Sequence, residues 1–237
     1  MRTIGLLGGM SWESTETYYR VINETVARAL GGLHSARCLI SSVDFAEIEP
    51  LQSAGEWGEL ARILTEEARS LARAGADFLV ICTNTIHKLA PEIERGAGIP
   101  LLHIASAAAD ELRRAGIRRA GVLGTRFTLR GRFYTDVLRA GGVEPLLPDE
   151  AEIPELDRII FDELCRGAIL PESREKYLKA IEGFAVRGAG AVLLGCTELG
   201  LLLDGAEAAL PLFDSAVIHA RRATTLHLMR PLLETES

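Results

Sequence analysis

The stretch that decides the fold reads Gly188-Ala189-Gly190-Ala191-Val192-Leu193-Leu194-Gly195-Cys196-Thr197. A short apolar run between glycines is typical of a buried strand in a parallel sheet. Ligands of open α/β sheets bind at the carboxyl ends of such strands. The pattern therefore predicts that Cys196 lies where a ligand would bind, although a lone free Cys is more often a buried, inert residue.

A second copy of this stretch occurs earlier in the chain. It reads Gly75-Ala76-Asp77-Phe78-Leu79-Val80-Ile81-Cys82-Thr83-Asn84 and aligns with the first without a gap. Two shorter matches occur in the same order, residues 4–8 with 120–124 and residues 99–102 with 210–213. Three ordered matches favour two similar lobes, with their strand ends facing across a cleft, over chance similarity between βαβ units.

The alignment of the two copies assigns a partner to each cysteine position. Cys196 aligns with Thr83, whereas Cys82 aligns with Gly195. Successive residues of an extended chain point to opposite sides. We therefore expect the Thr83 hydroxyl to oppose the Cys196 thiol, and Cys82 to point toward the interior of its lobe.

Alternating strands and helices predict an α/β fold of two pseudo-symmetric lobes, each with a four-stranded parallel sheet flanked by helices. The active site is expected in the cleft between them. The predicted strands lie at residues 3–8, 38–43, 78–81, 99–104, 120–123, 143–147, 191–194 and 211–213. We expect one lobe over residues 1–98 plus 210–237 and the other over 99–209. Residues 44–56 read as a loop.

Composition and charge exclude several classes of protein. The chain has 26 Lys and Arg against 33 Asp and Glu, a formal charge of −7, and no basic run that suggests nucleic-acid binding. No run of 18 apolar residues occurs, so we expect no membrane span. The four cysteines show no CxxC spacing and no signal peptide is evident, which predicts a reducing, cytoplasmic location.

Three motifs together resemble the cofactor-independent aspartate/glutamate/hydantoin racemase superfamily. They are Gly8-Gly9-Met10-Ser11, Asn84-Thr85-Ile86-His87 and Gly195-Cys196-Thr197-Glu198. Residues 3–15 and 31–36 are similar to enterobacterial members that act on L-aspartate and L-glutamate. In typical members two cysteines face each other across the substrate. Here Thr83 takes the place of the first, as in the L-specific subgroup.

The resemblance implies the roles of the site residues. It assigns catalysis to Thr83 and Cys196, and substrate binding to a set comprising Met10, Gln52, Asn84, Thr85, Thr197 and Glu198. Further candidates are Ser11, His87 and Cys165. Aspartate-specific relatives carry an Arg near position 52 and a Lys near position 165. Gln52 and Cys165 stand there in this chain, which weakens the case for strict selection of acidic substrates.

A racemase removes the α-proton from one face of its substrate and returns a proton to the other. We expect Cys196 to act as the base on the L-amino acid, its pKa lowered by a helix start or a cationic neighbour. Thr83 would act as the acid. A hydroxyl is a much poorer acid than a thiol, which predicts slow turnover and unequal rates in the two directions. Helix capping is the competing interpretation of the polar residues around these positions, and for His87 an orienting role competes with acid–base work.

Cofactor and metal chemistry find little support in the sequence. The only lysines are Lys88, Lys176 and Lys179, and none lies in a recognisable phosphate-binding motif, so we expect no pyridoxal phosphate. The five histidines are scattered, and we expect no metal. The resemblance implies a small amino-acid substrate and a homodimer.

Two alternatives remain open at this point. One is a relative that uses a single thiol, similar to arylmalonate decarboxylase or maleate isomerase. The other is a non-catalytic protein that binds an amino acid, left after loss of the first catalytic cysteine.

Overall fold

A computed structural model describes residues 1–229 of the chain, which divides into two compact units. Among the described residues, the first unit comprises 1–82, 89–102 and 219–229. The second comprises residues 83–88 and 103–218. None of the helices within residues 1–229 is long and apolar enough to span a bilayer.

Each unit contains one four-stranded parallel sheet flanked by helices. The strand orders are β2-β1-β3-β4 and β6-β5-β7-β8. The strands are β1 (Ile4–Gly8), β2 (Cys38–Ser42), β3 (Phe78–Ile81), β4 (Leu101–Leu102), β5 (Arg119–Gly124), β6 (Glu144–Leu146), β7 (Ala191–Gly195) and β8 (Leu212–Asp214). The helices are α1 (Trp12–Leu30), α2 (Phe45–Ala54), α3 (Trp57–Arg73), α4 (Ala90–Ala97), α5 (Ile104–Arg114), α6 (Arg126–Arg130), α7 (Arg132–Ala140), α8 (Ile153–Arg158), α9 (Pro171–Val186), α10 (Thr197–Leu202) and α11 (Ser215–Leu228).

The two sheets share their strand register as well as their strand order. Gly5 pairs with Leu79 in the first sheet, and Gly121 pairs with Val192 in the second. These are equivalent positions of the two sequence copies. The next strands agree too, since Leu79 pairs with Leu101 and Val192 pairs with Leu212. The fold class and the internal repeat predicted from the sequence are confirmed.

The unit boundaries differ from the predicted ones. We placed residues 99–102 in the second lobe and 210–218 in the first. Instead, β4 pairs with β3, and β8 pairs with β7. Backbone hydrogen bonds join each of these strands to the strand before it in the chain. Each strand therefore belongs to the same unit as that preceding strand, and not to the unit of the helix that follows it.

The predicted loop at residues 44–56 is wrong over most of its length, because Phe45–Ala54 form helix α2. The Asp44 side chain begins this helix by accepting a hydrogen bond from the Ala46 N–H at 3.0 Å. Gly55 ends it in the left-handed conformation, at φ 77°. Pro50 lies inside the helix and is the residue that argues against one in the sequence.

The core of the second unit lies on both faces of its sheet. Val192, Leu194 and Leu123 pack into one buried cluster with α9 and α10, whereas Leu193 and Val122 pack into another with α5 and α7. Strands buried on both faces read as continuous apolar runs, which is why Ala191–Leu194 shows no polar alternation.

Gly121 marks a close approach between β5 and helix α9. A Cβ atom built there would lie 2.3 Å from Cδ2 of the buried Phe184 ring. Gly183 lies one residue before Phe184 in α9, and a Cβ atom built on Gly183 would have no other atom within 4 Å. The two glycines therefore offer a matched pair for substitution by alanine.

We expect Gly121→Ala to lower the free energy of unfolding by about 1–3 kcal/mol, since the new methyl overpacks the core. Gly183→Ala should raise it by about 0.5–1 kcal/mol, because alanine is the better helix former. Urea unfolding followed by circular dichroism measures both. Equal effects of the two substitutions would contradict this packing of Phe184 against β5.

Candidate active site

Cys196 lies directly after β7 and occupies the N-cap position of α10. Its backbone is extended, at φ −148° and ψ 132°. The side chain is only 8% exposed and packs in the apolar cluster that contains Leu194, Leu199 and Tyr177. The sequence prediction that a thiol follows the carboxyl end of this strand is confirmed.

The Cys196 thiol faces the carboxylate of Glu198. Its Sγ donates a hydrogen bond to Oε2 of Glu198 at 2.9 Å, and the Thr197 hydroxyl donates to the same oxygen at 2.8 Å. Glu198 is itself buried, with 8% of its surface exposed. Three consecutive residues thus form one hydrogen-bonded group in which a buried carboxylate accepts from a thiol and a hydroxyl.

The pKa of the Cys196 thiol lies well above its ordinary value. The largest cause is burial, followed by the negative charge of Glu198 and the nearby Cys165 thiol. The backbone N–H of Glu198 acts in the opposite direction but is outweighed. Our expectation that the start of a helix lowers this pKa is therefore wrong, because desolvation and a neighbouring carboxylate both penalise the thiolate.

The segment after β3, residues 83–88, belongs to the second unit although β3 belongs to the first. Thr83 is partly buried, and its carbonyl oxygen lies 2.8 Å from Nδ1 of the fully buried His87. A carbonyl only accepts, so Nδ1 carries the proton. The His87 ring also meets His103 edge-on, at a centroid distance of 4.8 Å. These contacts support the orienting interpretation of His87.

Asn84 and Thr85 are buried against two residues that the sequence does not single out. Oδ1 of Asn84 lies 3.1 Å from the Ser215 hydroxyl, and the Thr85 hydroxyl lies 3.1 Å from that of Thr125. Thr125 directly follows Gly124 at the end of β5, just as the equivalent residue of the first sequence copy directly follows β1. Ser215 follows β8. Their position at the carboxyl ends of strands is the signal that could have identified them.

Cys82 is fully buried, and its thiol contacts the Val80 carbonyl oxygen at 3.9 Å. Burial raises the pKa of this thiol as well. The full burial of Cys82 and its contact within β3 agree with the prediction that it points into its own unit. At the equivalent position of the second unit, a Cβ on Gly195 would meet the Leu123 carbonyl oxygen at 2.9 Å, so that position has no room for a side chain.

Met10, Ser11 and Gln52 belong to the first unit. All three are buried, with exposures of 6%, 9% and 4%. Ser11 caps helix α1 by accepting from the Ser14 N–H at 3.4 Å, which bears out the capping interpretation for this residue. The substrate roles assigned to these three residues stay predictions.

Within residues 1–229, no group of three or more His, Cys, Asp or Glu side chains is arranged to hold a metal ion. Lys88, the lysine beside the motif of residues 84–87, has an exposed side chain.

Comparison with known proteins relates the whole chain to one family. The family model described as Asp/Glu/Hydantoin racemase matches residues 7–223. The chain belongs to this family. It is similar to a broad-specificity amino-acid racemase of Bacillus subtilis, with 24% identity over 95% of this chain and 98% of the relative.

Two solved structures of the family are also similar to this chain. One, a proposed Asp/Glu racemase from Yersinia pestis, is 46% identical with a TM-score of 0.90, over 97% of this chain and all of that one. The other, an aspartate racemase homologue from Pyrococcus horikoshii, is 32% identical with a TM-score of 0.81, over the same shares.

Because the Glu198 carboxylate stabilises the protonated thiol, Glu198→Gln should shift the pH profile of Cys196 alkylation downward by about one pH unit. Iodoacetamide labelling followed by peptide mass spectrometry separates Cys196 from the other three cysteines. Glu207→Gln, an exposed site in the same unit, removes the same charge and serves as the control. An unchanged profile in Glu198→Gln would mean that the carboxylate does not set the pKa of the thiol.

Proposed function

We propose that this protein racemises L-amino acids, including L-aspartate and L-glutamate, without a cofactor, by moving protons between the two faces of Cα. In this scheme Cys196 acts on the L-enantiomer and Thr83 serves the opposite face. Family membership supports a racemase. The two-base scheme and the substrate range are the parts of the proposal that family membership does not supply.

The observation that carries the proposal is the hydrogen bond from the Cys196 thiol to the Glu198 carboxylate at the end of β7. A buried thiol with a raised pKa is protonated near neutral pH. It needs a group that removes its proton before it acts as a base, and Glu198 is in contact to do so. Thr83 stands at the equivalent position of the other sequence copy.

The proposed proton transfers balance as follows. The thiol proton passes to Glu198, and the resulting thiolate removes the α-proton of the L-amino acid. The C–H electron pair delocalises into the α-carboxylate, and the Thr83 hydroxyl donates its proton to the opposite face. Solvent then reprotonates Thr83 and accepts the proton of Glu198. The reverse reaction follows the same steps backward.

The neutral Gln52 supports a broad substrate range. It is buried in the first unit and carries an amide where the resemblance implies a cation for the side-chain carboxylate. An amide makes a weaker contact with a carboxylate than a bidentate guanidinium does. We therefore propose that acidic and neutral L-amino acids are both accepted.

Incorporation of solvent deuterium at Cα is the direct test. We expect the wild type to exchange the α-proton of L-aspartate, L-glutamate or a neutral L-amino acid, and Cys196→Ala to lose about 1,000-fold or more of this rate, because it lacks the base. Proton NMR in deuterated water measures the exchange. Exchange that survives in Cys196→Ala would remove Cys196 from the mechanism.

Two further measurements, combined with the exchange assay, separate racemisation from the alternatives. A binding protein would be thermally stabilised by an amino acid while exchanging none. A single-thiol decarboxylase would release carbon dioxide from a substituted malonate in a Cys196-dependent manner, without exchanging amino acids. Either result would overturn the proposal of racemisation.

Thr83→Cys should retain or raise the activity and bring the two directions closer in rate, since a thiol is a better acid and base than a hydroxyl. Cys82→Ser is the matched control and should leave both rates within about twofold, because the side chain lies inside the first unit. Chiral chromatography of reactions started from each enantiomer measures the rates in both directions for both variants. Strong inactivation by Cys82→Ser alone would show that the register places the wrong residue in the site.

A further inference from the structure

A cavity of about 410 Å³ opens on the second unit, between the ends of helices α5 and α7. Its lining includes the side chains of Arg113 and Arg118, the partly buried Ile117, and the chain at residues 140–142. Clefts of this volume are large enough to hold a small molecule. The cavity therefore has the size of a ligand site and two cations in its wall.

This cavity lies at the amino ends of the strands of its sheet, far from Cys196. Arg118 directly precedes β5, whereas Thr125 directly follows it. The six residues of this extended strand span about 20 Å. Cys196 directly follows β7, which runs parallel to β5. The cavity is therefore separate from the candidate active site.

Backbone hydrogen bonds fix two walls of the cavity in the same way. The N–H of Ile117 donates to a carbonyl in the last turns of α5 at 2.9 Å, and the N–H of Val143 does the same in α7 at 3.0 Å. Each helix ends at a glycine with positive φ, 76° at Gly116 and 82° at Gly142. Helix ends of this kind use their last carbonyl oxygens internally. The arginines beside them are thus not needed to cap the helices.

Positive charge is concentrated around this cavity, although the chain as a whole is acidic. Residues 113–119 read Arg-Arg-Ala-Gly-Ile-Arg-Arg, in a chain of net charge −7. Nearby carboxylates pair with arginines outside the cavity lining, since Glu111 lies 3.3 Å from Arg114 and Glu144 lies 3.4 Å from Arg139. The cavity therefore keeps its positive charge.

Arg113 and Arg118 form no ion pair with any residue between 1 and 229. The Arg113 guanidinium donates to the Gly141 carbonyl oxygen across 3.5 Å, a long contact that leaves most of its five N–H donors available. The helix dipole accounts for a cation in the last turn of α5, such as Arg113. Arg118 lies beyond the end of that helix, so the dipole does not account for it.

We propose that this cavity binds a small dianion, whose oxygens accept hydrogen bonds from the guanidinium groups of Arg113 and Arg118. Guanidinium N–H groups form parallel pairs that match two oxygens of a carboxylate or a phosphate, so dicarboxylates and phosphates share the required chemistry. A bound dianion offsets the repulsion between two like charges that line one cavity. No step of the proposed racemisation uses these residues, so the inference does not depend on it.

Arg118→Gln removes one of the two charges. Arg119→Gln is the matched control, because Arg119 is the exposed next residue and does not line the cavity. The probes are inorganic phosphate and succinate, each titrated into the whole protein at low salt and followed by calorimetry. We expect at least one to bind the wild type. Arg118→Gln and Arg113→Gln should each weaken that binding by about tenfold or more, since a charged hydrogen bond is lost. Arg119→Gln should weaken it by less than about threefold, because its charge acts only through screened solvent.

The two probes distinguish the sources of the dianion. Binding of succinate alone assigns the cavity to dicarboxylates, binding of phosphate alone assigns it to phosphorylated molecules, and each result supports the proposal when it depends on Arg118. Equal weakening by Arg118→Gln and Arg119→Gln would overturn it, since that result indicates diffuse attraction to a basic surface. Binding that survives Arg118→Gln, or no binding of either probe to the wild type at millimolar concentrations, would overturn it as well.

Hydrogen exchange of the wild type tests the location of binding without any substitution. The bound probe should slow amide exchange in peptides that cover residues 113–119 and 140–143, because it holds the two walls of the cavity together. Peptides that cover residues 195–199, beside Cys196, should be unaffected. Protection confined to residues 195–199 would place the anion in the candidate active site and contradict the proposal.

Discussion

The pairing of β1 with β3, and of β5 with β7, in equivalent registers determines which side chains are available for chemistry. In a parallel ladder, successive residues face opposite sides, so a slip of one residue exchanges every inward side chain for an outward one. Cys82 and Gly195 occupy one side of the alternation. Thr83 and Cys196 occupy the other. Backbone hydrogen bonding therefore places Cys82 and Cys196 on opposite sides of the alternation, which is the arrangement that the proposed function requires.

Much of the fold could be predicted because buried parallel strands leave a simple trace in the sequence. β3 was predicted with its observed bounds, since its apolar run is flanked by a glycine turn and by polar residues. Helix α2 was missed because Pro50 suggests a loop, whereas Asp44 and Gly55 supply both ends of a helix. After helix α8 the chain continues into a π turn at Ile159–Glu163, which periodicity in the sequence does not reveal.

The candidate site was less predictable than the fold, because its properties depend on contacts between distant residues. The sequence places Glu198 two residues after Cys196, but only the structure shows that its carboxylate accepts from the thiol. The direction of the pKa change follows from that contact and from burial. Ser215 and Thr125 lie 131 and 40 residues from the side chains they contact, and the sequence marks them only by their position directly after a strand.

The assignment of residues 83–88 to the second unit makes one sequence copy depend on side chains of the other. The motif that follows β3 is continuous with the first sequence copy, yet Asn84 and Thr85 make their hydrogen bonds to Ser215 and Thr125, which belong to the second. The motif of the second copy differs in this respect, since Cys196 and Thr197 both donate to Glu198 of the same copy. A substitution at Ser215 therefore alters the surroundings of Asn84, a residue that belongs to the other sequence copy.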